Sequence, residues 1–231
     1  MTKHLFITGA NRGLGLTMVK QYLDSGWIVT ACCREPEQAD ELTSLLEKHE
    51  SLSVFQLDVT NYQELQQLAA SLQGEPIDLL INNAGYYGPK DSSLGDIDVE
   101  EWRKVFEINA IAPLKILEAF RANLKLATSS TLAILSSKMG SMADNSSGGT
   151  YIYRSSKAAV NSVVKSLSVD LTEDNIAVVA LHPGWVRTQM GGINGLIDTH
   201  ESVTGLKRVL DKLDMSQTGL FLDYRGQEIP W

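Results

Sequence analysis

Short apolar segments typical of β-strands alternate with helical patterns along most of the sequence. The strand-like segments are residues 4–8, 27–33, 52–59, 77–82, 131–136, 176–182 and 219–222, and the helical patterns are residues 14–25, 36–49, 61–72, 99–126 and 151–172. Because most of these strands lack a polar face, each should be covered on both sides, as in parallel sheets. We therefore expect an α/β fold, a doubly wound parallel sheet of about seven strands with helices on both faces, that is, a three-layer sandwich.

No change in composition marks a boundary between domains. The Ser- and Gly-rich stretches 141–149 and 191–195 lie between elements of the same alternating pattern. The chain is therefore expected to form a single domain, residues 1–231, with a substrate lid at about residues 188–215. Pro113 lies inside the helical pattern of residues 99–126, so we expect a bend or break near residues 109–113.

The charge balance excludes several classes of partner. The sequence has 20 Lys and Arg residues against 28 Asp and Glu residues, a formal net charge of −8. Nucleic acids and anionic membrane surfaces need a basic face, so neither is an expected partner. No stretch without Asp, Glu, Lys or Arg exceeds 12 residues, whereas a membrane-spanning helix needs about 20 apolar residues.

The remaining composition predicts a cytoplasmic protein without a metal site. The N-terminal residues lack the pattern of a signal peptide. The two cysteines, Cys32 and Cys33, are adjacent and cannot form a disulfide framework, which is typical of a reducing compartment. The four histidines show no spacing typical of metal ligands.

A glycine-rich turn follows the first predicted strand, with the sequence Thr8-Gly9-Ala10-Asn11-Arg12-Gly13-Leu14-Gly15. In a doubly wound sheet this turn leads into a helix N-terminus, whose free N–H groups bind a pyrophosphate. Glycine lets the chain turn tightly and lets a phosphate approach the backbone. The spacing is G-x-x-x-G-x-G rather than the common G-x-G-x-x-G, so a purely structural turn is the alternative. Its position after the first strand favours nucleotide binding.

Further motifs follow the glycine turn in a fixed order. They are Asp58-Val59, Asn82-Asn83-Ala84-Gly85, Asn109, Ser136-Ser137, Tyr153-Arg154-Ser155-Ser156-Lys157 and Pro183-Gly184-Trp185-Val186-Arg187-Thr188. In this order the sequence resembles the short-chain dehydrogenase/reductase family over about residues 4–190. The surroundings of Tyr153 and the ending Leu222-Asp223-Tyr224-Arg225-Gly226 look like those of sniffer-type carbonyl reductases and C-factor-like proteins. The resemblance implies a Rossmann-type fold and hydride transfer with a nicotinamide cofactor.

The same resemblance implies a set of cofactor-binding residues. They are Gly9, Asn11, Arg12, Gly13, Leu14 and Gly15 at the pyrophosphate, Asp58 and Val59 at the adenine, Asn83, Ala84 and Gly85 on the adenosine side, Tyr153 and Lys157 at the nicotinamide ribose, and Pro183, Gly184, Val186 and Thr188 at the nicotinamide carboxamide. Structural alternatives exist for some of them. Asp58 could cap the following helix, Pro183-Gly184 could be only a tight turn, and Thr188 could be a cap.

Arg34, at the end of the second predicted strand, bears on the choice of cofactor. An acidic residue at this strand end binds the ribose hydroxyl of NAD(H), whereas an arginine pairs with the 2′-phosphate of NADP(H). Cys33 stands where the family's NAD-dependent members have Asp, so Arg34 favours NADP(H) over NAD(H). Arg12 could provide a second cation for that phosphate. The alternative is that Arg34 is a solvated charge near Glu35 and Glu37.

Tyr153 and Lys157 are four residues apart, so on a helix they share one face. Such a pair is common on solvated helices, but together with the glycine turn and Ser137 it indicates catalysis. The resemblance implies that Tyr153 is the general acid, that Lys157 lowers its pKa and holds the nicotinamide ribose, and that Ser137 hydrogen bonds the carbonyl oxygen. Asn109 would anchor a water in a proton relay, unless it only ends a helix ahead of Pro113.

Ser136 and Ser137 are neighbours at a strand end and point to opposite sides, so only one can serve. We choose Ser137 because Ser137-Lys138-Met139-Gly140 matches the family's S-x-x-G pattern. The interval of 16 residues from Ser137 to Tyr153 is a few residues longer than is common in the family, and the extra length is expected at 145–149.

The expected substrate is a small carbonyl or alcohol compound with an apolar or aromatic body. Gly191, Gly192 and Gly195 should let the lid move. Residues that could line the pocket are Met190, Ile193, Leu196 and Ile197 in the lid, with Tyr86, Tyr87 and Trp185.

By analogy with the family, a homodimer or homotetramer is expected to form through residues 109–126 and 151–172. A cofactor-binding sensor without turnover and a partner-binding module are the alternative functions.

Overall fold

Seven parallel strands form one sheet in the computed structural model, which describes residues 2–90 and 92–231. The strands are β1 His4–Thr8, β2 Ile28–Cys33, β3 Leu52–Gln56, β4 Leu79–Asn82, β5 Ser130–Leu135, β6 Ile176–His182 and β7 Leu220–Asp223. Their order in the sheet is β3-β2-β1-β4-β5-β6-β7, and each neighbouring pair is parallel. The prediction of a doubly wound, Rossmann-type sheet is confirmed.

Helices cover both faces of this sheet and complete the three layers. They are α1 Gly13–Asp24, α2 Asp40–Thr43, α3 Tyr62–Ser71, α4 Val99–Phe106, α5 Ala112–Leu126, α6 Tyr151–Asp170 and α7 Thr199–Leu210. Successive residues of a strand point to opposite faces. Leu5 and Ile7 of β1 pack in the core with α1, α2 and α7, whereas Phe6 packs with α3, α5 and α6. Among the described residues, no helix has the length and apolarity that a membrane span requires.

The segment 36–49 does not form the single helix predicted for it. Pro36–Gln38 is a 3₁₀ turn, α2 has four residues, and irregular turns follow. Leu42 is the one buried residue of α2, so little apolar surface anchors a longer helix to the sheet. The hydroxyls of Thr43 and Ser44 donate to backbone carbonyls three or four residues earlier, and such bonds compete with helix propagation.

β3 ends at Gln56 rather than at residue 59 because the chain turns at Asp58. The carboxylate of Asp58 accepts hydrogen bonds from the amide of Thr60 at 2.9 Å and from its hydroxyl at 2.8 Å. Thr60 is therefore part of the turn. The cap of α3 is the next residue, Asn61, whose side-chain oxygen accepts from the amide of Glu64 at 3.2 Å.

The predicted bend in residues 99–126 is a bulge that leaves the helix unbroken. Glu107–Ile111 forms a π-helical turn between α4 and α5. Pro113 lies in the first turn of α5, and the wider π turn accommodates its missing N–H group. The bulge contains Asn109, whose side chain is buried.

The predicted lid, 188–215, includes a helix that is anchored in the core. Val203 and Leu206 of α7 are fully buried. Gln21 of α1 donates a hydrogen bond to the hydroxyl of Thr204 at 3.1 Å. The C-terminal half of the predicted lid is therefore part of one covering layer of the sheet.

Two of the three glycines expected to let the lid move, Gly191 and Gly195, are required by close packing, whereas Gly192 has a φ of +77° and open space around its Cβ position. A Cβ on Gly191 would lie 2.1 Å from the carbonyl oxygen of Val186, and one on Gly195 would lie 2.5 Å from a backbone nitrogen. The motion of the lid stays a prediction. Ile197 is buried and its side chain packs on Gly184, and its place in the pocket stays a prediction. The large apolar lid residues that remain exposed are Met190, Ile193 and Leu196.

Candidate active site

The glycine turn lies where the strand order reverses. β1 and β4 are neighbours at the centre of the sheet, and doubly wound sheets bind ligands at the carboxyl ends of such strands. Gly9 and Gly13 have φ angles of +65° and +55°, which side chains other than glycine rarely adopt. A Cβ on Gly15 would lie 2.2 Å from the carbonyl oxygen of Gly9. The backbone therefore requires glycine at all three positions, and the N-terminus of α1 opens onto this edge.

Thr8 and Asn83 tie the glycine turn to the segment after β4. The hydroxyl oxygen of Thr8 accepts hydrogen bonds from the amides of Asn83 at 3.2 Å and Ala84 at 3.1 Å. The side-chain amide of Asn83 donates to the carbonyl oxygens of Thr8 and Gly9, each at 2.9 Å. Asn83 and Ala84 thus lie beside the turn, and the side chain of Asn83 fixes its position.

An open cleft of about 610 Å³ lies at the ends of β2 and β3. Its lining residues are Arg34, Glu35, Gln56, Asp58, Thr60, Asn61, Tyr62 and Glu64. Arg34 and Asp58 therefore share one cleft, whereas Val59 is buried in the core. Arg34 and Arg12 are both exposed, and neither guanidinium has an ion-pair partner within residues 2–90 and 92–231. Both are accessible to an anion.

Ser137, Tyr153 and Lys157 meet beyond the carboxyl end of β5, and all three are at least nine-tenths buried. The hydroxyl of Ser137 faces the phenol of Tyr153 and is close enough to affect its pKa. The Nζ atom of Lys157 lies 5.7 Å from the centroid of the Tyr153 ring and donates to the carbonyl oxygen of Leu135 at 2.7 Å. Gly140 allows this close packing, because a Cβ there would lie 2.7 Å from the carbonyl carbon of Lys157.

Burial determines the protonation of this cluster. Burial raises the pKa of Tyr153, and the neighbouring hydroxyl of Ser137 offsets part of that rise. Burial lowers the pKa of Lys157 to about 8. The ammonium lies over the Tyr153 ring, and the lowering of the Tyr153 pKa by Lys157 stays a prediction. At neutral pH Tyr153 is a neutral phenol and Lys157 is mainly charged.

Ser136 faces away from Tyr153. Its hydroxyl donates to the side-chain oxygen of Asn161 at 2.5 Å in the protein interior. Ser137 instead caps the short turn Lys138–Gly140 and accepts from the amide of Met139 at 3.2 Å. Of the two serines, the structure brings Ser137 to the phenol.

Asn109 lies close to Lys157. Its side-chain oxygen accepts from the amide of Tyr86 at 2.9 Å, and its amide donates to the Tyr86 carbonyl at 2.8 Å and to Ser156 at 3.0 Å. A Cβ on Gly85 would lie 3.4 Å from this oxygen and 3.8 Å from Nζ of Lys157. The π bulge therefore directs Asn109 to the loop after β4, next to the lysine.

The segment 183–188 approaches the glycine turn. A methyl group of Thr188 would lie 3.5 Å from a Cβ on Gly13, and the Thr188 hydroxyl accepts from the amide of Gly191 at 3.0 Å. Gly184 has a φ of +87°, so Pro183-Gly184 does form a tight turn. Val186 is buried. Thr188 is thus the residue of this segment that the structure brings to the predicted pyrophosphate site.

Three aromatic residues predicted for the pocket have different surroundings. The phenol of Tyr86 donates to Glu101 of α4 at 2.8 Å. Trp185 is half exposed, and its indole N–H donates to the carbonyl oxygen of Gly191 at 2.8 Å. The ring of Tyr87 stacks on that of Tyr153.

Two braces of the loop after Ser137 have no counterpart in the sequence-based prediction. Arg154 donates to the carbonyl of Met139 at 3.3 Å and to the hydroxyl of Ser147 at 2.7 Å. The carbonyl oxygen of Trp231 accepts from the amide of Met142 at 2.7 Å. The position of Arg154 between Tyr153 and Lys157 was a possible signal for its hydrogen bonds to this loop. The local sequence carries no signal for the contact of Trp231 with Met142.

No group of three or more His, Cys, Asp or Glu side chains within the described part of the chain could hold a metal ion. The candidate site consists of a glycine-lined turn, an arginine-containing cleft and a Ser-Tyr-Lys cluster along one edge of the sheet.

Comparison with known proteins gives consistent matches to one family. Residues 3–194 match the family described as short chain dehydrogenase. The C-signal protein of Myxococcus xanthus is 42% identical over 167 residues, which are 72% of this chain and all of that protein.

Two solved structures superpose on the whole chain. The carbonyl reductase Sniffer of D. melanogaster has a TM-score of 0.95 and 32% identity, and the match covers 100% of both chains. An NADPH-bound carbonyl reductase from chicken fatty liver has a TM-score of 0.94 and 35% identity, with 100% of this chain and 99% of that chain covered.

Proposed function

Because the chain belongs to the short-chain dehydrogenase family, we propose that it is an NADP(H)-dependent oxidoreductase that interconverts a carbonyl compound and its alcohol. The observation that carries this proposal is the buried phenol of Tyr153, which faces Ser137 and lies one helical turn from Lys157. A phenol with a raised pKa stays protonated at neutral pH and is thus ready to donate its proton.

The residues at the sheet edge suit a nicotinamide dinucleotide. Gly9, Gly13 and Gly15 leave a turn without side chains at the N-terminus of α1, where a pyrophosphate can contact the backbone. Thr188 lies across from this turn, in position to hold the nicotinamide end. When bound, the reduced cofactor supplies the hydride that the carbonyl carbon accepts.

We assign the proton transfer to this chain's own residues. Tyr153 donates its phenolic proton to the carbonyl oxygen, and Ser137 donates a second hydrogen bond to that oxygen. The ammonium of Lys157 stabilises the tyrosinate that remains and binds the nicotinamide ribose. Asn109, beside Lys157 at Gly85, holds a water that returns a proton to the site.

We propose that Arg34 recognises the 2′-phosphate of NADP(H). Its exposed guanidinium lies in the cleft at the end of β2 with Asp58, which leaves the adenine to be held at the Asp58 turn. Arg12, in the glycine turn, adds a second positive charge. The NADPH bound to the chicken carbonyl reductase supports the same preference.

The charge-reversing substitution Arg34→Asp should weaken NADPH binding about thirtyfold and NADH binding much less. The 2′-phosphate loses a charge-assisted hydrogen bond, worth about 2 kcal/mol, and meets a like charge. Fluorescence titration with both nucleotides measures the change. Arg208→Asp, an identical charge change at an exposed site on α7, is the matched control. An equal loss for NADPH and NADH would refute the assignment.

The direct test of the proposed activity is turnover of a panel of aldehydes and ketones with NADPH and, separately, with NADH. We expect NADPH-dependent reduction of at least one apolar or aromatic carbonyl compound. Tight NADPH binding without turnover, unaffected by Tyr153→Phe, would instead favour a cofactor-binding sensor. Failure to bind either nucleotide would favour a partner-binding module.

We also propose that the protein is a cytoplasmic homodimer or homotetramer. Apolar side chains are exposed on the layer formed by α4, α5 and α6, namely Val99, Ile111, Leu126 and Val169. This surface is where a second copy would bury apolar area. Cys32 and Cys33 are free thiols, as expected in a reducing compartment. Light scattering that gives the mass of a single chain would refute the association.

A further inference from the structure

The ring of Tyr87 stacks on the ring of Tyr153. Their centroids are 4.5 Å apart, and the ring planes are 30° from parallel. The same Tyr153 ring has the ammonium of Lys157 5.7 Å from its centroid. Tyr153 is therefore held by three groups: Ser137 at its hydroxyl, Lys157 over its ring and Tyr87 against a ring face.

The loop that carries Tyr87 is fixed on both sides of that residue. The amide and the carbonyl of Tyr86 are both hydrogen bonded to Asn109, at 2.9 Å and 2.8 Å. Gly88 has a φ of +80°, and a Cβ there would lie 3.0 Å from a methyl group of Val105. These contacts hold the backbone on both sides of Tyr87, and its ring lies on that of Tyr153.

A tyrosine needs such support for precise proton transfer. The final ring torsion of Tyr has a broad energy minimum, so the contact of the Tyr153 hydroxyl with Ser137 does not by itself fix the ring plane. A displacement of about 1 Å from productive geometry can cost about a hundredfold in rate. A stacked neighbour restricts the ring plane and excludes water from one face.

We propose that Tyr87 is a positioning residue for Tyr153, fixing the plane of its phenol and keeping one face dry. This inference rests on the proposed function, in which Tyr153 is the proton donor. The role belongs to the ring of Tyr87 rather than to its hydroxyl. Among the described residues, the ionisable groups facing Tyr153 are Lys157 on its own helix and Tyr87 from the loop after β4.

The substitution Tyr87→Leu should lower kcat for carbonyl reduction about tenfold, with the Kd for NADPH unchanged. Water then reaches the phenol and its raised pKa falls, which the titration midpoint of Tyr153 itself measures. The alkaline limb of the kcat–pH profile follows Lys157, whose pKa is about 8, and should stay in place. Tyr87→Phe keeps the ring and should restore most of the rate. Tyr151→Leu is the matched control for loss of an aromatic ring, because it removes an exposed tyrosine from α6, the helix that carries Tyr153.

Three outcomes would overturn the inference. They are Tyr87→Leu with the kcat of the unmodified protein, Tyr87→Phe as impaired as Tyr87→Leu, or losses of NADPH affinity and melting temperature that account for the loss of rate. If the unmodified protein reduces no carbonyl compound, the proposed function fails. In that case ¹⁹F NMR of protein labelled with 3-fluorotyrosine, in which Tyr153→Phe identifies the Tyr153 signal, still tests the contact. A lower titration midpoint for Tyr153 in Tyr87→Leu supports it, and an unchanged midpoint overturns it.

Discussion

The substitution Tyr153→Phe should lower kcat for carbonyl reduction by about a thousandfold, within the range seen for loss of a general acid. It removes only the hydroxyl, so no proton donor remains at the carbonyl oxygen. The ring stays buried and keeps its contacts with Tyr87 and Lys157. NADPH affinity and melting temperature should therefore change little, and the loss should appear in kcat.

Tyr151→Phe is the matched control for this experiment. Tyr151 lies two residues earlier on α6, and its side chain is 39% exposed. It should keep the rate of the unmodified protein. A Tyr153→Phe protein that retained more than about a tenth of kcat would contradict the assignment of Tyr153 as the proton donor.

The substitution Gly15→Ala should weaken NADPH binding by about a hundredfold or more. The new Cβ would lie 2.2 Å from the carbonyl oxygen of Gly9 and 2.7 Å from the side-chain amide of Asn83. Relieving this overlap moves the glycine turn, and overpacking of this kind costs about 3 kcal/mol or more. The N–H groups that would hold the pyrophosphate then lose their alignment. Fluorescence titration with NADPH and a thermal melt measure the two consequences.

Gly26→Ala separates this steric effect from the backbone preference of glycine. Gly26 has a φ of +77° and open space around its Cβ position, so alanine there costs about 1 kcal/mol of stability and should leave NADPH affinity unchanged. Normal NADPH affinity in Gly15→Ala would show that the turn does not hold the cofactor.

Local pattern was sufficient to predict the fold. A strand buried on both faces is mostly apolar, so the strand-like segments could be identified from the sequence without tertiary information. The glycine turn could be predicted in the same way, because the positive φ angles at Gly9 and Gly13 require glycine. Tyr153 and Lys157 could be paired because a helix brings residues four apart to one face.

Features that depend on distant contacts could not be predicted. The segment 36–49 has a helical pattern, but Leu42 is the only residue of α2 that is buried in the core. Stacking of Tyr87 on Tyr153 joins residues from a loop and a helix that are far apart in sequence. The position of the Lys157 ammonium depends on the carbonyl of Leu135, which no local motif reveals.

The bond between Asn83 and the Gly9 carbonyl joins residues 74 positions apart, so the proposed cofactor site exists only in the folded chain. A ligand that binds only the native state stabilises it by mass action, by about 2.7 kcal/mol when its concentration is a hundred times Kd. The unfolded population on which cellular proteases act would then fall about a hundredfold. The supply of cofactor would thus control the lifetime and abundance of this protein in the cell as well as the rate of the reaction that it catalyses.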